Sequence, residues 1–371
     1  MSVFQRVAVA SVFGITLGLF LLCELPIVDS SQISSRPALL RVGFIVPLTG
    51  PLAEFGLAIQ NGVLLAQEEV SHSGEVFQAV YEDSQYDSKL ALTSFQKLLA
   101  RDQVNLTYVF GGPMSETLAP IAEAKKAPLY STEYNPELTR GRKYVVRFAN
   151  TSYDFADELL ANLRSRGLRR LAIVKCENQY HNTLSSALES RLKPGESVMV
   201  VANHLPGDQG FYSTISKLRT LEFDALGVYL LPGMQNAFIK QLQDQQLRFP
   251  LFGTDTFETD SENIGVESTV AGAVYANADV QEGFRRRYEA RFGNTSQLIH
   301  AALGYEFARL LQDSFAEDQT LPIGKEVISR LNIRSPRTGA AGKFNFSEDP
   351  EVGQHFKFRL SVKQVGKTVL N

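Results

Sequence analysis

The sequence has no tryptophan, two cysteines and five histidines among its 371 residues, and these scarcities exclude several chemistries at once. Cys23 and Cys176 form no Cys-x-x-Cys pair. His72, His181, His204, His300 and His355 are scattered and never fall into a His-Glu-x-x-His spacing, so no metal site is legible. Gly-x-Gly-x-x-Gly, the Walker A pattern and Gly-x-Ser-x-Gly are all missing, which withholds the dinucleotide, phosphate-loop and nucleophile-elbow readings. No nucleophile stands beside a base in chain order. The expectation is a protein that is not an enzyme and needs no cofactor.

A charge excess of either sign is also wanting. Thirty-seven lysines and arginines face forty acids, for a net charge of -3, and nothing in that balance favours a nucleic-acid partner. The short basic run Arg285 to Arg287 is expected on a solvated helix face. What the chain does have is bulk: 44% hydrophobic and 21% charged residues over this length bury a sizeable core and favour two domains over one.

The one long apolar run, Val7 to Leu22, follows the single positive charge of Arg6, with Glu24 and Asp29 just beyond it. That asymmetry keeps the amino end in the cytoplasm and sends the rest across a membrane. Residues 1–30 therefore read as a signal peptide or an N-terminal membrane anchor. Cleavage after Ser30, retention as an anchor and lipidation at Cys23 all remain open. Bulky Leu22 disfavours the last, and every outcome places the folded part outside the cytoplasm. Removal of the segment leaves Cys176 without an internal disulfide partner, and at the end of a predicted strand it reads as a small buried apolar residue. Residues 31–40 form a Ser/Pro-rich spacer.

The folded part opens on Arg41 to Val70, which reads as strand, tight turn and helix. Val42 to Val46 is a continuous apolar run, Pro47, Gly50 and Pro51 stop it, and Phe55, Ile59, Val63, Ala66 and Val70 recur at helical spacing. Strands at Val76 to Tyr81, Leu106 to Phe110 and Pro128 to Ser131 alternate with helices at Leu90 to Arg101 and Ser115 to Lys125, without hairpin signals. Such alternation predicts a doubly wound parallel sheet. After a crossing at Tyr144 to Phe148 it restarts behind a capping box, Thr151-Ser-Tyr-Asp154. A second crossing is expected near Val270 to Tyr275. Lys343 to Phe346 and Phe356 to Val365 alternate as an antiparallel pair.

The turn Pro47-Leu-Thr-Gly-Pro51, the helix glycines Gly56 and Gly62, and Leu65-Ala-Gln-Glu-Glu69 resemble the opening of the type I periplasmic solute-binding proteins. The likeness is to the leucine/isoleucine/valine-binding branch, which feeds ABC importers. Gly111-Gly-Pro-Met-Ser115 with Pro120, Asn135 to Gly141, and Leu251-Phe-Gly-Thr-Asp-Thr-Phe257 extend the likeness in the same order. The resemblance implies an α/β fold of two doubly wound lobes joined by a multi-strand hinge. Lobe 1 is expected over 41–147 plus 274–335, and lobe 2 over 148–273 plus 336–371. The implied function is extracytoplasmic binding of an amino acid or small amide between closing lobes, for delivery to an ABC permease. The alternative is a ligand-sensing module acting on a separate membrane partner.

Ligands of open parallel sheets gather beyond the carboxyl ends of the strands, where helix amino termini present unpaired N–H groups. Ser115 reads as the N-cap of such a helix, with Thr117 beside it; a ligand carboxylate would meet amides, dipole and hydroxyl there, and an ordinary cap is the other reading. By the resemblance, Asp255 pairs with a ligand ammonium and Tyr180 closes over the ligand, unless Tyr180 is core. Tyr229 and Phe257 are candidates for the far end. Glu133 and Tyr134 depart from the family pattern: Tyr134 stands where a small hydroxyl residue is usual, and Glu133 is either a solvated loop charge or the partner of a cationic group.

Overall fold

The computed structural model describes residues 39–70, 75–316, 322–333 and 336–366. The predicted export segment and all but the end of the spacer lie outside them. Among the described residues no helix is long and apolar enough to cross a membrane.

The chain builds two sheets of like topology. The parallel body of the first comprises β1 (Leu40–Val46), β2 (Phe77–Asp83), β3 (Leu106–Val109), β4 (Leu129–Ser131) and β5 (Val145–Arg147), in the spatial order β2-β1-β3-β4-β5. The crossovers α1 (Ala53–Val70), α2 (Ser88–Ala100) and α3 (Gly112–Lys125) cover its faces. In the second sheet β6 (Arg170–Cys176), β7 (Ser197–His204), β8 (Ala225–Tyr229), β9 (Leu251–Gly253) and β10 (Val274–Ala278) repeat the pattern as β7-β6-β8-β9-β10. Helices α4 (Ser152–Ser165) and α5 (Gln179–Ser190) pack on one face of it. On the other lie α6 (Tyr212–Leu218), α7 (Met234–Asp244) and the single turns α8 (Asp260–Asn263) and α9 (Glu267–Val270). The capping box at α4 is formed in both directions, Thr151 to the Asp154 amide and Asp154 back to the Thr151 amide.

The lobes divide differently from the expected boundaries. Val274–Ala278 is a parallel strand of the second sheet, so the chain crosses back at 279–281, before α10 (Glu282–Phe292), α11 (Leu298–Phe315) and α12 (Lys325–Ile333) return to the first lobe. Tyr275 packs into one apolar cluster and Val274 and Ala276 into the other, which makes β10 an interior strand buried on both faces. The strands β11 (Arg337–Gly339), β12 (Gly342–Asp349) and β13 (Gly353–Phe358) extend the first sheet instead of the second lobe, and only β14 (Leu360–Gln364) pairs with β10. The cause is aromatic packing. Phe356 and Phe358 lie 5.0 and 5.4 Å from Phe148, which itself packs on Phe307 of α11, and alternation of period two cannot specify which sheet such a pair will edge.

Two features hold the frame. Helices α1 and α11 cross so closely that a Cβ on Gly62 would sit 1.9 Å from the Ala301 carbonyl oxygen, and one on Gly304 2.4 Å from that of Ile59. Among the described residues three chain crossings join the lobes, after β5, after β10 and between β13 and β14. Asn150 ties the first to the third: its Nδ2 donates to the Phe358 carbonyl (2.9 Å) and its Oδ1 accepts from the Phe358 N–H (3.2 Å).

Candidate ligand-binding site

Both sheets point their carboxyl strand ends at the space between the lobes, and the candidate residues come from the loops there. Asp255 follows β9 in a short 3-10 turn capped by Thr254. Tyr180 sits in the first turn of α5, which Asn178 caps. Its hydroxyl donates to Asp255 Oδ1 at 2.7 Å. From the first lobe, Tyr134 lays its ring 5.8 Å from Tyr180 and 4.7 Å from Phe155 of α4. Its position is fixed by its carbonyl, which accepts the Ser152 N–H across the hinge at 2.8 Å.

These residues line a cavity of about 30 Å³. Tyr134, Phe155, Tyr180 and Tyr229 make its aromatic walls, Leu159, Leu184 and Leu188 its apolar depth, and Thr254, Asp255 and Asn277 its polar side. Four of the eight expected site residues, Tyr134, Tyr180, Tyr229 and Asp255, therefore meet in one place.

The remaining four do not line this cavity. Helix α3 is capped at Gly111, whose φ of +94° suits glycine, and Pro113 in the first turn needs no N–H partner there. Ser115 thus lies inside the helix, fully buried, instead of capping it. Its hydroxyl donates to the Gly111 carbonyl and accepts from Ser131, both at 2.7 Å. Thr117 donates back to the Pro113 carbonyl at 2.8 Å. Phe257 packs on the opposite face of the second sheet, 6.2 Å from Tyr275.

Glu133 is buried at 2% exposure, and its carboxylate stands over the amino end of α3. A Cβ on Gly112 would meet Oε2 at 2.2 Å, while Oε1 accepts the Asn135 N–H at 2.9 Å. Burial, aided by the charge of Glu116, pushes its carboxyl up to about 7, against the pull of the Asn135 amide and Arg147. Arg147, wholly buried, donates to the Asn135 and Pro136 carbonyls at 2.6 and 3.1 Å and so braces the same loop. Burial first, and the charge of Asp255 second, also push Glu258 up to about 7.

Three residues join the site without a motif to announce them. Tyr86 follows β2 with φ of +60°, in a loop pinned by Asp83, which accepts from the Leu48 and Gln85 amides at 2.8 and 2.9 Å. Burial, and then the charges of Glu133 and Asp255, hold its hydroxyl above the ordinary range, as they do for Tyr134 in the reverse order of the two acids. At the start of α11, His300 brings Nε2 to 3.8 Å from Asp255 Oδ2 and is held below the usual imidazole range by burial. Gln297 donates across the lobes to Thr259 at 2.5 Å. The rule that ligands gather at strand ends is the only sequence signal that reaches Tyr86. Elsewhere, Cys176 is buried and burial pushes its thiol up to about 11. His181 is buried beside Tyr180, and burial takes its imidazole down to about 3. Among the described residues no group of His, Cys, Asp or Glu is arranged to hold a metal ion.

Residues 40–357 match the sequence model of a family described as periplasmic binding protein. Over 254 residues the chain is 26% identical to the Leu/Ile/Val-binding protein BraC3 of Rhizobium johnstonii, an alignment covering 64% of this chain and 67% of that protein. Among solved structures, the leucine binding protein LivK of Thermotoga maritima MSB8 superposes with a TM-score of 0.77 at 20% identity, over 88% of this chain and 95% of the other. A solute binding protein of an ABC transporter from Rhodopseudomonas palustris BisB5, solved with 3,4-dihydroxybenzoic acid, gives 0.74 at 19% identity, over 89% and 94%. At such identities these structural likenesses establish the fold.

Proposed function

Since the chain belongs to the periplasmic binding protein family, we propose that it is the extracytoplasmic solute-binding component of an ABC importer, holding a small nitrogen-bearing solute of amino acid or amide size between its lobes. The observation that carries this reading is Asp255. Its carboxylate lies at a strand end between the lobes, held by the Tyr180 hydroxyl at 2.7 Å, and makes no ion pair with lysine or arginine among the described residues. A carboxylate so placed is matched by a positive or N–H-rich group on the solute. Tyr134, hung from the first lobe beside the hinge, covers that pairing.

A cavity of about 30 Å³ has room for about two waters. Entry of a solute therefore requires the lobes to part about the crossings that Asn150 ties, and their return hides the ion pair from water. No covalent step is needed. The permease reads the returned lobes; its interface is part of this proposal. The test is calorimetric titration of protein freed of co-purified solute by unfolding and refolding, with amino acids, short amides and urea, followed by stimulation of the cognate permease in vesicles. Silence across the panel, or binding unaffected by Asp255→Asn, overturns the reading.

A further inference from the structure

We infer that the solute is a small organic cation bearing N–H groups and no carboxylate, of the amine, amidine or guanidine class, and not a zwitterionic amino acid. This rests on the inter-lobe binding proposed above.

On the first-lobe side of the site the amino end of α3 is a natural anion position. Glu133 occupies it. The fit is close enough to depend on a missing side chain, since any Cβ on Gly112 would lie 2.2 Å from Glu133 Oε2. The next donor along that helix, the Ser115 hydroxyl, is committed to the Gly111 carbonyl. A second carboxylate brought by a solute would find neither this helix end nor the Ser115 hydroxyl free to receive it.

Across the cleft stand Asp255 and Glu258. Among the described residues neither they nor Glu133 form an ion pair with lysine or arginine; Lys363, which faces Glu258, is paired with Asp279, and Arg147, whose Nη2 donates to loop carbonyls, acts on Glu133 through its charge without a direct contact. A solute carboxylate would meet the Asp255 carboxylate and, beyond it, two further acidic side chains, and like-charge apposition is what excludes wrong partners. A cation meets the opposite. Tyr134 and Tyr180, 5.8 Å apart, offer ring faces beside Asp255, an arrangement that favours a positive group, and Leu159, Leu184 and Leu188 take an apolar body. Asp255 Oδ1 already accepts from Tyr180, whereas among the described residues Oδ2 has only His300 at 3.8 Å. That oxygen calls for an N–H donor, which a quaternary ammonium lacks.

The experiment uses matched pairs. Refolded, solute-free protein is titrated with 3-methylbutylamine and leucinamide against leucine, and with agmatine against arginine, with choline as the cation without N–H. The carboxylate-free member should bind at least tenfold more tightly in each pair in which binding is detected, and choline more weakly than 3-methylbutylamine. Glu133→Gln, checked by thermal melting for a folded state, should narrow the amine-to-acid ratio at least fivefold. Leucine or arginine binding as tightly as its partner, or a carboxylate on the solute released from freshly purified protein and read by mass spectrometry, overturns the inference while leaving inter-lobe binding intact. Affinities that ignore both Asp255→Asn and Tyr180→Phe overturn the inter-lobe reading, and this inference with it.

Discussion

At the scale of single residues the site is governed by carboxylates held away from water. Asp255→Asn keeps the Tyr180 contact and removes the charge. It should weaken a cationic solute by about 2–5 kcal/mol in a titration while leaving the melting temperature within a few degrees; an unchanged affinity would remove Asp255 from the site. Glu133 sets a pH dependence of unusual sign. Its folded pKa, about 7, lies above the ordinary carboxylate value of 4.5, so between these values the folded state keeps a proton that the unfolded state releases. Stability from this group is therefore greatest below pH 4.5 and declines as pH rises towards 7, by up to about 3 kcal/mol. Glu133→Gln should accordingly melt higher than the parent at pH 8 and close to it at pH 5; a parent whose pH profile matches that of the variant contradicts the account. Asp255 was legible through the resemblance of Leu251 to Phe257 to the family's strand end. The place of Glu133 was not, because it depends on how β4 sets its loop against a glycine twenty-one residues earlier, in α3, a distance that no local pattern encodes.

At the scale of elements, α1 shows how far sequence reaches. Its apolar spacing predicts a helix, and Ala53–Val70 is one, with Phe55, Ile59, Val63 and Ala66 buried. Two glycines inside it cost about 1 kcal/mol each against alanine by propensity alone. The structure supplies the reason for Gly62, which lets the backbone of α11 pass at contact. Gly62→Ala should thus destabilise by about 3 kcal/mol or more in urea melts despite alanine's better helix propensity, since the Ala301 carbonyl has no rotamer with which to yield. A neutral or stabilising result would mean that the helices sit further apart. The strands at 337–358 mark the opposite limit. Alternation predicted that Lys343 to Phe346 pairs with Phe356 to Val365; β12 and β13 do pair antiparallel, but the second stretch divides at Phe358 and 360–364 pairs with β10 instead. It could not give their sheet, which follows from rings at Phe148, Phe307, Phe344 and Phe356 that meet only in the folded chain.

At the scale of the whole molecule, movement is confined to three crossings, and Asn150 couples two of them. Asn150→Ala strands the Phe358 N–H and carbonyl at a loss of about 1–3 kcal/mol. Solution scattering of the solute-free variant should show a larger radius of gyration than the parent, and solute release should quicken; identical scattering and release rates would show that the clamp does not govern opening. The third crossing has a wider bearing. Because 337–358 completes one sheet and 360–364 the other, neither half can reach its finished form until residues 337–364 have been made. A chain cut at 336 should therefore lose both cooperative transitions in calorimetry, not one. The last-made strands thus act as a common latch, closing two separate bodies in one stroke.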